Sequence, residues 1–275
     1  MRPLALFCTL TGVLFTAPLP AQTPAAKRSK PGSIFWTSKA AGVTYRWTEK
    51  DLTATVGAAG TPSYSVARAL KKEFGKPEAD NGYSSYEVSF QPLSAIGTLL
   101  SYERDDYWDG GAHPSGNESF VTLDVHDPKH PLKVTDLFNA AEIRQALLSD
   151  PIVQRILTRD KIAPPPTLNG LVKALAIKEF GGEEDCKYSF PENLLSDFAF
   201  HHIENGKVAV RFLLPHGAEI YRFQNTQLGI LLPIPAKWKT AFTQAANGSA
   251  GAMMASLQKV GKDKKSSVVL QGHPE

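Results

Sequence analysis

An α+β fold, with a mixed and mainly antiparallel sheet carrying three to four helices, is predicted by three observations. Apolar residues alternate over short runs, as at Tyr86, Val88 and Phe90, the period of a half-buried strand. Asn205-Gly206 separates two strand-like runs, which is the turn chemistry of a tight hairpin. Between the strands stand segments with apolar residues every three or four positions and capping residues at their starts. Several hairpins in mixed order with helices favour α+β over a parallel α/β arrangement.

The elements are justified in chain order. Gly42 to Glu49 and Leu52 to Val56 read as strands. Thr61-Pro62 opens a helix, since Thr caps free amides and Pro is tolerated in the first turn; Val66, Leu70 and Phe74 give it an apolar face, and Gly75 and Pro77 end it. Tyr83 to Gln91 and Ile96 to Tyr102 are strands. Phe120 to His126 is another, with Phe120, Thr122, Asp124 and His126 on one face and Val121, Leu123 and Val125 on the other. Asp127-Pro128-Lys129-His130 is a turn, and Leu132 to Val134 returns as a short strand. A helical stretch begins at Thr135-Asp136 and restarts at Asp150-Pro151, with Ile152, Ile156 and Leu157 on its apolar side. Pro164 to Pro166 form a stiff spacer. Thr167 caps a helix carrying Leu168, Leu171, Val172, Leu175 and Phe180. Phe198 to Glu204 and Lys207 to Leu214 form the hairpin, Leu228 to Ile234 is a last strand, and Pro235 to Thr243 is a short terminal helix.

The ends read differently. Met1-Arg2, an apolar run from Leu4 to Phe15 and Ala21 after Leu19-Pro20 have the layout of a secretory signal peptide over 1–21. The run is interrupted and too short for a membrane span. Residues 22–33 are a Pro-, Ala-, Lys- and Ser-rich linker. Residues 34–104 and 105–243 form an N-terminal portion and a following α+β domain, together one compact unit. Residues 244–275, rich in Gly, Ala, Ser and Lys, are expected to be a disordered basic tail.

Composition excludes several classes. Hydrophobic residues are 42% and charged residues 21% of 275, values of a soluble globular chain. The net charge of +3 comes from the ends: residues 34–245 hold 22 Lys and Arg against 25 Asp and Glu. A nucleic-acid partner, which wants a basic stripe on the folded surface, is therefore not expected. Cys186 is the one cysteine left after signal removal, and Glu183, Glu184 and Asp185 beside it disfavour a thiolate. Gly-x-Ser-x-Gly, His-Glu-x-x-His, phosphate-loop and dinucleotide motifs are absent from the sequence. No cofactor and no metal site is expected. His201 and His202, adjacent in a strand, are expected to point to opposite faces and to share no metal.

One segment concentrates functional side chains: Asp105, Asp106, Tyr107, Trp108, Asp109, Gly110, Gly111, Ala112 and His113. It reads as a tight strand-end turn in which the glycines take special angles. It reads equally as a binding loop whose aromatic rings stack on a sugar or anchor a protein, or as a carboxylate and imidazole cluster for a cation or water activation.

Gly110-Gly111-Ala112-His113, the strand with Asp124-Val125, the turn, Leu132 and then Asp136-Leu137-Phe138 form a series that resembles the RsiV-type extracytoplasmic domain, domain of unknown function 3298. The resemblance spans roughly residues 85–240; the strand pair around Phe198 and Phe212 and Leu232-Pro233-Ile234 fit it too. Two details depart from it: Asp127-Pro128-Lys129 stands for the usual Gly turn, and Pro215 to Ile220 keeps Glu219-Ile220 but displaces the aromatic residue. The resemblance implies an α+β envelope domain without known catalytic residues, some of whose relatives bind lysozyme. The candidate ligand contacts are Tyr107, Trp108, Asp109, Gly110, Gly111 and His113, because aromatic rings give large contact area with few rotors. The expected ligand is a lysozyme-like protein or a cell-wall glycan. The alternative is a secreted hydrolase of envelope glycans acting through Asp105, Asp106, Asp109 and His113, with Glu103 as a further carboxylate.

Overall fold

Three sheets stacked through their apolar faces make up the body of the computed structural model, which describes residues 32–58, 60–74, 83–110, 115–181, 187–215 and 225–270. The N-terminal sheet is an antiparallel ladder of β1 (Ile34–Ala40), β2 (Val43–Thr48), β3 (Leu52–Val56) and β4 (Tyr64–Ser65). Helix α1 (Val66–Phe74) follows directly. The central sheet has the order β13-β5-β6-β7, with β5 at Tyr83–Ile96, β6 at Leu99–Gly110, β7 at Ser115–Asp124 and β13 at Ser266–Leu270. The C-terminal sheet is β10 (Phe198–Glu204), β11 (Lys207–Leu214) and β12 (Thr226–Pro233). A small pair, β8 (Glu179–Gly181) and β9 (Lys187–Ser189), stands apart. The remaining helices are α2 (Ala140–Leu148), α3 (Pro151–Arg159), α4 (Leu168–Leu175), α5 (Lys239–Asn247) and α6 (Met254–Val260). The α+β class holds, with six helices among the described residues where three to four are expected.

Alternation decides the layers. Even-numbered residues of β6, Leu100 and Tyr102, join Val88, Phe90, Tyr45, Trp47, Leu52 and Leu70 in the core between the central sheet, the N-terminal sheet and α1. The opposite face of the central sheet meets the C-terminal sheet through Leu93, Phe120, Ala199, Leu213 and Met254. The far face of the C-terminal sheet, including Phe198, Phe200, Val210 and Phe212, packs against the helices through Ile143, Leu147, Ile156, Leu171 and Phe242.

The largest departure from expectation is the C-terminal segment. Residues 244–270 are not a disordered tail: α6 and β13 are integral, and β13 pairs with β5 from Ser266↔Phe90 to Leu270↔Tyr86. The small residues that suggest disorder serve close approach. At Gly251, with φ +83°, an added Cβ would lie 2.1 Å from the Ala95 carbonyl oxygen, and Ala252 forms a β-bridge to Ala95. At Gly261 a Cβ would lie 2.5 Å from the Trp47 ring. The indole Nε1 of Trp47 donates to Ser266 Oγ at 3.0 Å, and Ser266 donates to the Thr48 carbonyl at 2.5 Å. With these lysines inside the body, residues 34–270 hold 26 Lys and Arg against 26 Asp and Glu, so the expected negative balance of the core disappears.

Other boundaries move for local reasons. The expected division after residue 104 falls inside β6, so it separates nothing. Helix α1 starts at Val66 rather than near Pro62, because Ser65 Oγ accepts from Arg68 N–H and Asp51 accepts from Ala67 N–H, supplying caps from the folded strand pair. Gly97 at φ +60° turns the chain before Leu99, so the strand expected from Ile96 begins three residues later. Leu132 to Val134 is not a strand; Val134–Asp136 is a 3₁₀ turn. Phe180 lies in β8, since α4 ends at Leu175. The caps Asp150 and Thr167 and the Asn205-Gly206 hairpin stand as read. The linker and signal segments, Cys186 and the His216 to Ile220 segment lie outside the described residues, save Gly32 and Ser33.

Candidate functional site

Residues 105–110 are strand, not loop, and alternation splits them between two environments. Asp106 and Trp108 lie on the face of β6 turned toward α1; Asp105, Tyr107 and Asp109 lie on the other. Gly110 is the end of β6, paired with Tyr83. Gly111, Ala112 and His113 lie outside the described residues. Asp105 and Asp106 therefore do not form a carboxylate pair, and Tyr107 and Trp108 do not present one stacking surface.

The α1-side face is a closed network. Arg104 Nε donates to both oxygens of Asp106 at 3.0 and 2.9 Å, and Nη1 donates to both oxygens of Glu73 at 2.9 and 3.0 Å. Tyr86 Oη donates to Asp106 Oδ1 at 2.9 Å. The guanidinium sits 5.3 Å from the Phe74 ring centroid, and Tyr86 stacks on Trp108 at 6.1 Å with planes 9° apart. Burial pushes the Asp106 carboxyl up from its ordinary value while Arg104 and Tyr86 pull it back. Burial works against the Arg104 charge too, but Asp106 and Glu73 outweigh it and raise that pKa. Every charge here has a partner of opposite sign, which is the signature of structure rather than chemistry.

The opposite face is less balanced. Register sets Gln91 beside Glu103, and Ser89, Asp105 and Glu118 in one row across three strands. Lys265, just before β13, reaches Glu103 and Asp105 at 3.1 Å each. Burial of Lys265 opposes its charge, but the two carboxylates outweigh it and raise its pKa. One lysine thus serves two carboxylates, and Glu118 stands beyond it. Burial first, and then the charge of Glu103, push Glu118 up to about 7, although Asn225 Nδ2 donates to it at 2.5 Å. Asp197, 8% exposed, accepts from the Phe120 N–H of β7 and is pushed up to about 7 by burial, with Glu118 adding to the rise. Tyr107 stands on the same face, 39% exposed.

This arrangement crowds Glu103, Asp105 and Glu118 around one lysine, with Glu118 and Asp197 pushed up to about 7, a polarity suited to cationic ligands and to proton exchange. Among the described residues no group of three or more His, Cys, Asp or Glu side chains is disposed to hold a metal ion. Likewise among them, no helix is long and apolar enough to cross a membrane.

Glu118, Asp197, Asn225 and Lys265 escape sequence reasoning. Their meeting depends on the register of β6 with β7 and on the return of the chain end to the central sheet. The visible hint is Asp105 itself, whose strand partner is unknown until the register is known.

No protein-family model and no curated protein matches the chain. Solved structures similar to it in part include two DUF3298 family proteins. One is a DUF3298 family protein from Pseudomonas aeruginosa PAO1, 17% identical, with a TM-score of 0.28, covering 65% of this chain and 75% of that one. The other is a DUF3298 family member from Bacteroides fragilis NCTC 9343, 14% identical, with a TM-score of 0.24, covering 64% of this chain and 60% of that one. Both bear the family name that the sequence resembles; at these TM-scores the likeness carries no argument about a ligand or a residue's role.

Proposed function

We propose that this chain is an exported, non-enzymatic binding module of the cell envelope, related to the RsiV-type domains, whose ligand is a basic lysozyme-like protein. The observation that carries the reading is the half-buried acidic row Glu103, Asp105 and Glu118, incompletely balanced by Lys265 and flanked by the exposed ring of Tyr107. A cationic protein completes the charge of such a face, and a tyrosine at its margin supplies contact area with few rotors. Trp108, stacked on Tyr86, supports the strand from behind rather than touching the ligand.

The test is calorimetric titration of the chain from Gln22 onward with a c-type lysozyme, alongside a muramidase assay. Saturable binding that weakens with salt, and weakens at least tenfold in a Glu103→Gln, Asp105→Asn double variant, supports the reading. No heat and no inhibition of the muramidase reject it.

One observation favours a second reading. Glu118, pushed up to about 7, lies beside Asp105 on the neighbouring strand, and two adjacent carboxyl groups of which one keeps a proton near neutral pH are the parts of a glycosidase. In that case Glu118→Gln abolishes release of reducing ends from cell-wall glycan, while the wild-type chain produces them.

A further inference from the structure

The C-terminal sheet carries a second concentration of polar groups, on the face turned away from the helices. It depends on an irregularity in β10. Phe200 pairs with Val210, but His202, not His201, pairs with Ala209, so one extra residue is inserted at the bulge. The expected opposition of His201 and His202 is thereby undone. Their Nδ1 atoms approach to 2.8 Å, with ring centroids 4.9 Å apart and planes at 81°. Hydrogen bonding between two ring nitrogens requires that one donate and the other accept, so the pair is not doubly charged.

Arg211 lies across the ladder from Ala199 and Gly229. Its guanidinium rests on the backbone at Gly229, where an added Cβ would lie 2.4 Å from Nη1 and 2.8 Å from Cζ. Among the described residues no carboxylate pairs with Arg211, and its Nε is buried without a hydrogen-bond partner. Glu204, opposite Lys207 at the hairpin end, faces His202 Nε2 at 3.5 Å. A partly buried guanidinium is ordinarily matched by an anion, because removing its hydration is costly. Arg211 stands two residues along β11 from Ala209, the partner of His202, and so on the same face, and burial and then the Arg211 charge lower the pKa of His201.

We propose that Arg211, with His201 and His202, forms a binding site for an oxyanion, a carboxylate or phosphate group of a ligand. The guanidinium supplies fixed charge and a planar fork that matches two oxygens. The imidazoles supply an N–H at the margin and close the site on the β10 side. Gly229 provides the room that lets the fork lie flat. The proposal is independent of the acidic face of the central sheet and carries the opposite charge preference. The same imidazole pair could chelate a metal cation, but the unpaired positive charge of Arg211 opposes that.

The experiment follows the ring resonances of His201 and His202 by NMR in the full chain from Gln22 onward, titrated with sodium phosphate and, separately, sodium acetate at constant ionic strength in chloride. Saturable shifts with millimolar or tighter affinity are expected. Arg211→Gln weakens binding at least tenfold, and Arg211→Lys, which keeps the charge without the fork, weakens it less. Preference for phosphate identifies a phosphate-bearing ligand; preference for acetate identifies a carboxylate. Shifts that stay linear to 50 mM, or an affinity unchanged in a folded Arg211→Gln variant, overturn the site. So does micromolar binding of Cu²⁺ or Zn²⁺ that tightens in Arg211→Gln, which assigns the imidazoles to a metal instead.

Discussion

The two faces of β6 are built from alternate residues of one short stretch, and they have opposite electrostatic characters. On the α1 side, Arg104 stands between Asp106 and Glu73 with aromatic rings around it, and each charge has a partner. On the other, Lys265 pairs with Glu103 and Asp105 while Glu118 stands beyond it, pushed up to about 7. A dense run of charged residues is therefore not one site. The strand sorts it into a part that holds the fold and a part with charge left over for a ligand.

The most severe way to break this comparison is to remove the element that supplies Lys265. Truncation after Asn247 deletes α6 and β13, and with them buried Met253, Met254, Leu257 and Val268. At about 1.5–3 kcal/mol for each buried apolar side chain, the loss is of the order of the whole stability of a domain. The truncated chain is expected to lack a cooperative thermal transition by circular dichroism; a sharp transition near that of the full chain would show the C-terminal segment to be dispensable.

Next in size is the balanced face. Arg104→Ala leaves the Asp106 carboxylate, 8% exposed, without its cation and is expected to cost about 3 kcal/mol in urea unfolding. Glu73→Ala removes a partner that is 54% exposed and is expected to cost well under 1 kcal/mol. Equal effects would mean that the network is not organised around the Arg104–Asp106 pair.

The unbalanced face has a pH signature. Glu118 and Asp197 have folded-state values near 7, above those of an unfolded carboxyl. The folded state thus binds more protons than the unfolded one between roughly pH 4 and 7, and stability falls as pH rises through that window. For Glu118 the ceiling is about 3 kcal/mol, and partial solvent access brings the expected value to about 1–2 kcal/mol. Glu118→Gln should therefore match the wild type near pH 4 and exceed it in stability at pH 8, flattening the urea midpoint against pH. Asp197→Asn should act in the same sense, and the double variant should gain less than the sum, because each carboxylate raises the other's cost. A Glu118→Gln variant less stable than wild type at pH 8 would refute the crowded-carboxylate description.

How far the sequence foretells this division depends on the range of the forces involved. The hairpin at Asn205-Gly206 and the caps Asp150 and Thr167 were legible because each is decided within a few residues. The α+β class followed from the same local periods. The C-terminal segment is not legible as folded because Gly251, Gly261 and Ser266 take their meaning from Ala95, Trp47 and Thr48, more than 150 residues away. Asp105 to Asp109 stand out in the sequence as a group, but their sorting depends on strand register, which also sets Glu118 opposite Asp105. The His201–His202 contact was hidden by a bulge, which no alternation rule contains. Tertiary contact, not propensity, decides each of these.

The finest test separates the neighbours Tyr107 and Trp108, which a sequence reading treats as one aromatic anchor. Trp108 stacks on Tyr86, whose hydroxyl holds Asp106, so Trp108→Ala loosens the balanced face and is expected to cost about 1 kcal/mol of stability. Its effect on lysozyme titration should be small once the folded fraction is accounted for. Tyr107, 39% exposed on the acidic face, is the less buried of the two rings, so Tyr107→Ala is expected to cost less stability than Trp108→Ala. If the acidic face is the docking surface, the same substitution weakens binding several-fold. The reverse pattern, with Trp108→Ala impairing binding at full stability and Tyr107→Ala silent, would move the ligand to the α1 side and show that the charge balance of the two faces does not decide which one is used.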